Sequence, residues 1–269
     1  MIMQTTKVSI NNKIDANFIK IISILYHKKR LMETRNRGIY RKVRLLRLWV
    51  IFVIMKVMKS YNTLNDYYRK LFGEKTFKVP IDAGFDCPNR DGTVAHGGCT
   101  FCTVSGSGDA IVAPDAPIRE QFYKEIDFMH RKWPDVQKYL VYFQNFTNTH
   151  EKVEVIRERY EQAINEPGVV GINIGTRPDC LPDETIEYLA ELSERMHVTV
   201  ELGLQTTYET TSDLINRAHS YELYVETVKR LRKYPKIEIV SHLINGLPGE
   251  THEMMIENVR RCVTDNDIQ

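Results

Sequence analysis

Between residues 76 and 263 one local pattern recurs five times: a short apolar run poor in charge, then a longer stretch with apolar residues at helical spacing. The apolar runs are 76–81, 139–143, 169–174, 198–204 and 237–244. The helical stretches are 116–131 (Ile118, Phe122, Ile126, Met129), 153–164, 183–195, 221–233 and 250–263. Pro182 stands before the third of them, and Asp183 and Glu184 suit the positive end of a helix dipole. Strands that alternate with helices are joined by crossovers and therefore run parallel, so the pattern predicts a parallel sheet with helices outside it. The expected fold is α/β: a (β/α) barrel of the TIM type, or part of one, with its chemistry on the loops that follow the C-terminal ends of the strands.

The charge is divided unevenly. The chain carries 37 Lys/Arg and 35 Asp/Glu, a formal net charge of +2. Residues 1–59 hold 14 of the basic and two of the acidic residues (Asp15, Glu33), a net of +12. That leaves 23 basic and 33 acidic residues in 60–269, a net of −10. Residues 1–59 also lack a sustained amphipathic period. Within them, 48–55 is a run of eight apolar residues between Arg47 and Lys56, well short of the roughly 20 that a membrane-spanning helix needs. Three readings fit this segment: upstream sequence ahead of a natural start at Met58, a disordered or loosely helical tail, or a membrane anchor. The organisation expected is a basic extension over 1–59 and one folded domain over 60–269, with no stable membrane association.

Three of the five cysteines fall within sixteen residues, and no cleavable secretory signal is evident. In a reducing compartment such clustering favours a metal site over a disulfide. The spacing is C-x11-C-x2-C: Cys87, Cys99 and Cys102, on the loop after the first strand. Thiolates are soft ligands that select iron–sulfur clusters, zinc or cuprous copper. Gly84, Gly92, Gly97 and Gly98 give the loop backbone freedom to wrap a metal centre. A structural zinc site would want a fourth protein ligand, which His96 could supply. Three thiolates alone suit a cluster with one open iron. Both readings stand on spacing alone.

The segment Cys99-Thr100-Phe101-Cys102, with an aromatic residue before the last cysteine, resembles the end of the cluster motif of the radical S-adenosylmethionine (SAM) superfamily. The common form has three residues between the first two cysteines; here there are eleven. The long spacing resembles a subgroup that includes the catalytic subunit of Elongator. Residues 61–67, 77–85 and 87–93 (Cys-Pro-Asn-Arg-Asp-Gly-Thr) are similar to the YhcC/YtqA group of bacterial radical SAM proteins. The likeness runs from about Tyr61 to the C-terminus.

This resemblance implies a [4Fe–4S] cluster on Cys87, Cys99 and Cys102, with SAM laid across the strand ends. After the second strand the superfamily's glycine-rich segment is absent, and Gln144 and Asn148 are the candidate substitutes, with ordinary strand-end and helix-capping chemistry as the alternative. Arg177, in a Thr-Arg-Pro-Asp segment like that of Elongator relatives, could grip a carboxylate or phosphate, or pair with Asp179. Cys180 reads as a small buried residue rather than a ligand. Glu201 interrupts an apolar strand, which is costly unless it is paired; the resemblance implies that Glu201 or Gln205 holds ribose hydroxyls. After the fifth strand, Gly246-Leu247-Pro248-Gly249 resembles a segment that sets backbone against adenine, and Gly246 and Gly249 permit close approach.

The implied function is reductive cleavage of SAM to a 5′-deoxyadenosyl radical for hydrogen abstraction. The implied electron donor is a flavodoxin or ferredoxin, the implied location the cytoplasm, and the suggested substrate tRNA at a wobble uridine. A net of −10 over residues 60–269 argues against nucleic acid. The chain stops at Gln269, just after the fifth helix, so the barrel is expected to be truncated before strand six. Two alternatives follow: a truncated protein that binds a cluster without turnover, and a zinc-stabilised binding module.

Overall fold

The computed structural model describes residues 62–106 and 111–265. The chain divides into two compact units, Met1–Tyr67 and Tyr68–Gln269. The basic segment 1–59, the apolar run 48–55 and Met58 lie outside the described residues. Among the described residues no helix is long and apolar enough to cross a membrane.

The elements run α1 (Leu64–Phe72), β1 (Thr76–Ile81), α2 (Ile118–His130), β2 (Lys138–Phe143), α3 (Val153–Ile164), β3 (Val169–Thr176), α4 (Asp183–Ser193), β4 (His197–Gln205), α5 (Glu209–Leu214), α6 (Tyr221–Leu231), β5 (Ile237–Leu243) and α7 (His252–Arg260). A single 3-10 turn, Pro178–Cys180, follows β3. The five strands form one sheet in the order β1-β2-β3-β4-β5, every neighbouring pair parallel. The alternation expected from the sequence is therefore present, and α1 and α5 are additions to it.

Side chains on alternate strand positions face opposite sides of the sheet. Phe77, Val79 and Ile81 of β1 and Val198, Val200, Leu202 and Leu204 of β4 face the helices and are buried. Phe122, Tyr160, Leu189 and Tyr224 meet them from α2, α3, α4 and α6. The other face is polar. Lys78, Tyr142, Asn173, Glu201 and His242 come one from each strand and converge on the Glu201 carboxylate. Lys78 reaches one oxygen, Asn173 donates to the same oxygen at 2.8 Å, and His242 lies 2.8 Å from the other.

That convergence measures the curvature of the sheet. Strands lie about 4.8 Å apart, so β1 and β4 would be roughly 14 Å apart if the sheet were flat. The Lys78–Glu201 contact needs a sheet curled towards its polar face, as in a barrel wall. Glu201 is only 2% exposed. Burial pushes its carboxyl up, but the charges of Lys78 and His242 and their hydrogen bonds outweigh burial and hold it well below the usual carboxylate range. The expectation that Glu201 must be paired holds.

Candidate functional site

The loop after β1 leaves the sheet at Ile81 and returns to structure at α2. Its first part is held by short-range bonds. The Arg90 and Asp91 amides donate to the Cys87 carbonyl at 2.8 and 3.0 Å, and the Val94 amide donates to Pro88 at 2.8 Å. The glycines work as expected: Gly92, Gly97 and Gly98 all have positive φ (91°, 83° and 74°). The Cys102 amide donates to the Cys99 carbonyl at 3.0 Å, closing the tight turn between the two.

All three loop cysteines are free thiols; Cys87 and Cys99 are partly buried and Cys102 is exposed. They lie close enough to act on one another. A hydrogen bond from Cys102 lowers Cys99, burial opposes it, and the Asn89 amide with the Arg177 and Arg217 guanidiniums adds to the lowering, bringing Cys99 to about 7. Cys102 moves up, through the bond to Cys99, burial, and the charges of Cys99 and Cys87. A thiol near 7 is substantially thiolate at neutral pH, which is the form that binds iron. His96 instead lays its ring over Gly92, where a Cβ would fall 2.5 Å from the imidazole Cε1. Among the described residues no group of three or more His, Cys, Asp or Glu is arranged to hold a single ion. A four-iron cluster takes one thiolate per iron rather than gathering three round one ion.

The strand ends face the same loop. Gln144 follows β2, and its amide donates to the Ile81 carbonyl at 3.3 Å. Asn148 is wholly buried. Its amide nitrogen faces the carbonyls of Phe143, Asn145 and Gly175 at 3.0, 2.9 and 2.8 Å, tying the end of β2 to the end of β3. The amide thus ties strand ends together and caps no helix, since α3 begins after Lys152 without a side-chain cap. Arg177 likewise takes its structural alternative: a two-pronged pair with Asp179 at 2.9 and 2.7 Å, and a bond to the Arg217 carbonyl at 2.8 Å. Cys180 is buried, with its sulfur 3.9 Å from His150 Nδ1 and 3.8 Å from Asp179.

Glu201 sits below the strand ends with both carboxylate oxygens engaged, and Gln205 lies at the end of the same strand. Gln205 ends β4 with φ of 60°, an uncommon conformation for a residue with a side chain. Gly246 and Gly249 both have positive φ (88° and 82°), and no atom lies within 4 Å of where a Cβ of Gly246 would stand.

The cofactors implied by the sequence can be tested against buried polar atoms. Asn89, Asn145, Asn148 and Asn173 each keep a buried side-chain oxygen without a partner. All four belong to the cysteine loop, to the segment after β2 or to the inner face of β3. Buried acceptors of this kind are uncommon; that of Asn89 lies on the loop of the three thiols, where its amide nitrogen meets Cys99 Sγ, and those of Asn145 and Asn148 lie just after β2, so both places suit a polar ligand. Sequence reasoning missed Lys78, Asn173, His242, Asn216 and Arg217. Lys78 carried a usable signal: it interrupts an apolar strand on the inner face, as Glu201 does with opposite charge.

Comparison with known proteins agrees. The family model for the radical SAM superfamily matches residues 90–262. The chain is 56% identical over 211 residues to the uncharacterized protein YtqA of Bacillus subtilis, covering 78% of this chain and 65% of that protein. It is 37% identical over 210 residues to protein YhcC of Escherichia coli, covering 78% and 66%. The chain thus spans about two thirds of the length of these relatives, or slightly less. Among solved structures, an N-terminally deleted archaeal Elp3 from Methanocaldococcus infernus superposes with a TM-score of 0.51 at 17% identity, over 72% of this chain and 43% of that one. At that identity the likeness concerns the fold alone.

Proposed function

The chain belongs to the radical SAM superfamily, whose members bind a [4Fe–4S] cluster and SAM, and from that premise we propose that it is a radical SAM enzyme with Cys87, Cys99 and Cys102 as its cluster ligands. The observation that carries the reading is the loop itself: three free thiols, two of them a single tight turn apart, at the C-terminal end of a parallel sheet. When bound, the cluster and SAM supply a 5′-deoxyadenosyl radical for hydrogen abstraction. The protein's part is to bind and orient. Gln144 and Gln205 are proposed to meet the polar ends of SAM. Gly246 and Gly249 leave backbone exposed where a flat base could approach. Phe101 and Val104 are exposed apolar side chains on the cysteine loop, and they suit the docking of a flavodoxin or ferredoxin as electron donor. An oxygen-sensitive cluster suits a cytoplasmic location.

We restrict the proposal to cleavage of SAM. The suggestion of tRNA came from the likeness to Elongator, and Arg177, which could have gripped a phosphate, is paired with Asp179. The test is anaerobic reconstitution of the full chain, iron and sulfide analysis, reduction with dithionite, and assay for 5′-deoxyadenosine with SAM present. Iron, sulfide and 5′-deoxyadenosine are expected, all lost in Cys99→Ala. A cluster without SAM cleavage would instead support a binding protein without turnover, and zinc without iron would overturn the assignment.

A further inference from the structure

The cysteine loop is fastened to a segment far along the chain, and the fastening reaches a ligand sulfur. Between α5 and α6 the chain runs Asn216-Arg217-Ala218-His219. Asn216 and Ala218 both adopt positive φ (53° and 60°), a conformation that asparagine tolerates and that alanine holds only when the surroundings impose it. The surroundings do so here. The wholly buried Arg217 donates to the carbonyls of Leu204 and Thr206 at the end of β4, and to that of His219. Arg177, from the end of β3, donates to the Arg217 carbonyl at 2.8 Å. Two buried guanidiniums therefore fix this turn to two strand ends.

The turn then grips the cysteine loop. The Asn216 side-chain amide donates to the carbonyls of His96 at 3.0 Å and Gly98 at 2.8 Å, on either side of Gly97. The Thr100 amide donates to the Ile215 carbonyl at 3.0 Å. From the other side, the Asn89 amide nitrogen donates both to the Asn216 carbonyl and to Cys99 Sγ, the latter at 3.4 Å. The Gly98 amide donates to the Asn89 carbonyl at 2.8 Å. Asn89 is wholly buried, and its side-chain oxygen has no partner. A leucine of similar shape would leave no such orphan, so the nitrogen is what the position uses.

We propose that Asn89 and Asn216 form a latch on the cluster-binding loop, in which Asn216 fixes the loop to the β4 end and the Asn89 N–H···S bond to Cys99 sets the reduction potential of the cluster. This rests on the reading of Cys99 as a cluster ligand. Both are positioning residues. Hydrogen bonds to ligand sulfurs tune cluster potentials. A donor stabilises the more electron-rich, reduced form, so its loss lowers the potential.

The experiment compares the reconstituted full chain with Asn89→Leu and Asn216→Gly. Glycine accepts a φ of 53° without strain, so Asn216→Gly removes the amide and keeps the turn. The midpoint potential is measured by an electron paramagnetic resonance titration, and retention by the rate at which a chelator strips iron. Asn89→Leu is expected to lower the ratio of reduced to oxidised cluster at fixed potential at least threefold, tenfold corresponding to 59 mV for a one-electron couple. Asn216→Gly is expected to lose iron at least fivefold faster with its potential unchanged. If Asn89→Leu holds no cluster, Asn89→Ser, whose hydroxyl is too short to reach the sulfur, makes the same comparison. An unchanged potential on loss of the Asn89 donor, or wild-type iron retention in Asn216→Gly, would overturn the latch. Failure of the wild-type chain to take up iron and sulfide would overturn the cluster reading beneath it.

Discussion

His219 faces two carbonyls, that of Gly203 at 3.1 Å from Nε2 and that of Ser220 at 3.4 Å from Nδ1. Burial and the nearby charges of Arg217 and Arg177 depress its pKa from 6.5 to about 4. The folded protein thus resists a proton that the unfolded chain accepts. The resulting stability is complete above about 6.5, falls as the pH drops through the interval to about 4, and is lost below it. Its size is on the order of a few kcal/mol at one unit per 1.36 kcal/mol. His219→Gln keeps a donor for Gly203 but does not titrate. Urea unfolding at pH 7 and pH 5 should show the wild type losing more stability than the variant, and equal losses would show that His219 does not carry the acid sensitivity. At this scale the sequence was legible where chemistry is local. Cys87, Cys99 and Cys102 lie on one short loop, and their spacing alone limits what they can hold. The partners of Glu201 were not legible, because Lys78 is 123 residues away and becomes a neighbour only when the sheet curls. Asn216 gave no signal either, since nothing in a sequence marks an asparagine that will be held at positive φ.

Among the elements, the turns at the strand ends bear on both stability and binding. Gly246 and Gly73 share a positive φ (88° and 83°), and a Cβ at either would meet no atom within 4 Å. Alanine at either position therefore incurs backbone strain without a clash, about 1 kcal/mol, or roughly 2–4 °C of melting temperature for a domain of this size. Gly73 closes α1, its amide donating to Arg69 at 2.9 Å, whereas Gly246 lies in the turn after β5 proposed to receive SAM. Differential scanning calorimetry should show similar losses for Gly73→Ala and Gly246→Ala, while equilibrium dialysis should show weaker SAM binding for Gly246→Ala alone. Equal SAM affinity in both variants would remove the Gly246 turn from the binding site. The strands and long helices were readable because burying one face imposes a period. The α5 sequence Glu209–Leu214 (ETTSDL) has no such period, and only Thr211 and Ser212 of it are buried. Its position comes instead from bonds to other elements, including the Asn258 side chain of α7, which accepts from Thr207 just ahead of it.

On the scale of the whole molecule, the division of charge bears on the substrate. Residues 60–269 carry a net of −10 and residues 1–59 a net of +12. Nucleic-acid binding is dominated by phosphate neutralisation, and each phosphate contact steepens the fall of affinity with salt. The core has no excess of positive charge to offer, and three of its buried or half-buried cations, Lys78, Arg177 and Arg217, are engaged inside the protein. Any affinity of the full chain for RNA is therefore expected to come from the basic segment and to be indifferent to sequence and shape. Filter binding should find that bulk tRNA and an unstructured RNA of equal length compete equally, and that both are released together between about 50 and 200 mM salt. A preference for tRNA that survives at 200 mM salt would require a shaped basic surface and would return tRNA to the head of the substrate search. Equal release would direct that search to small molecules and peptides, whose binding needs no excess of positive charge.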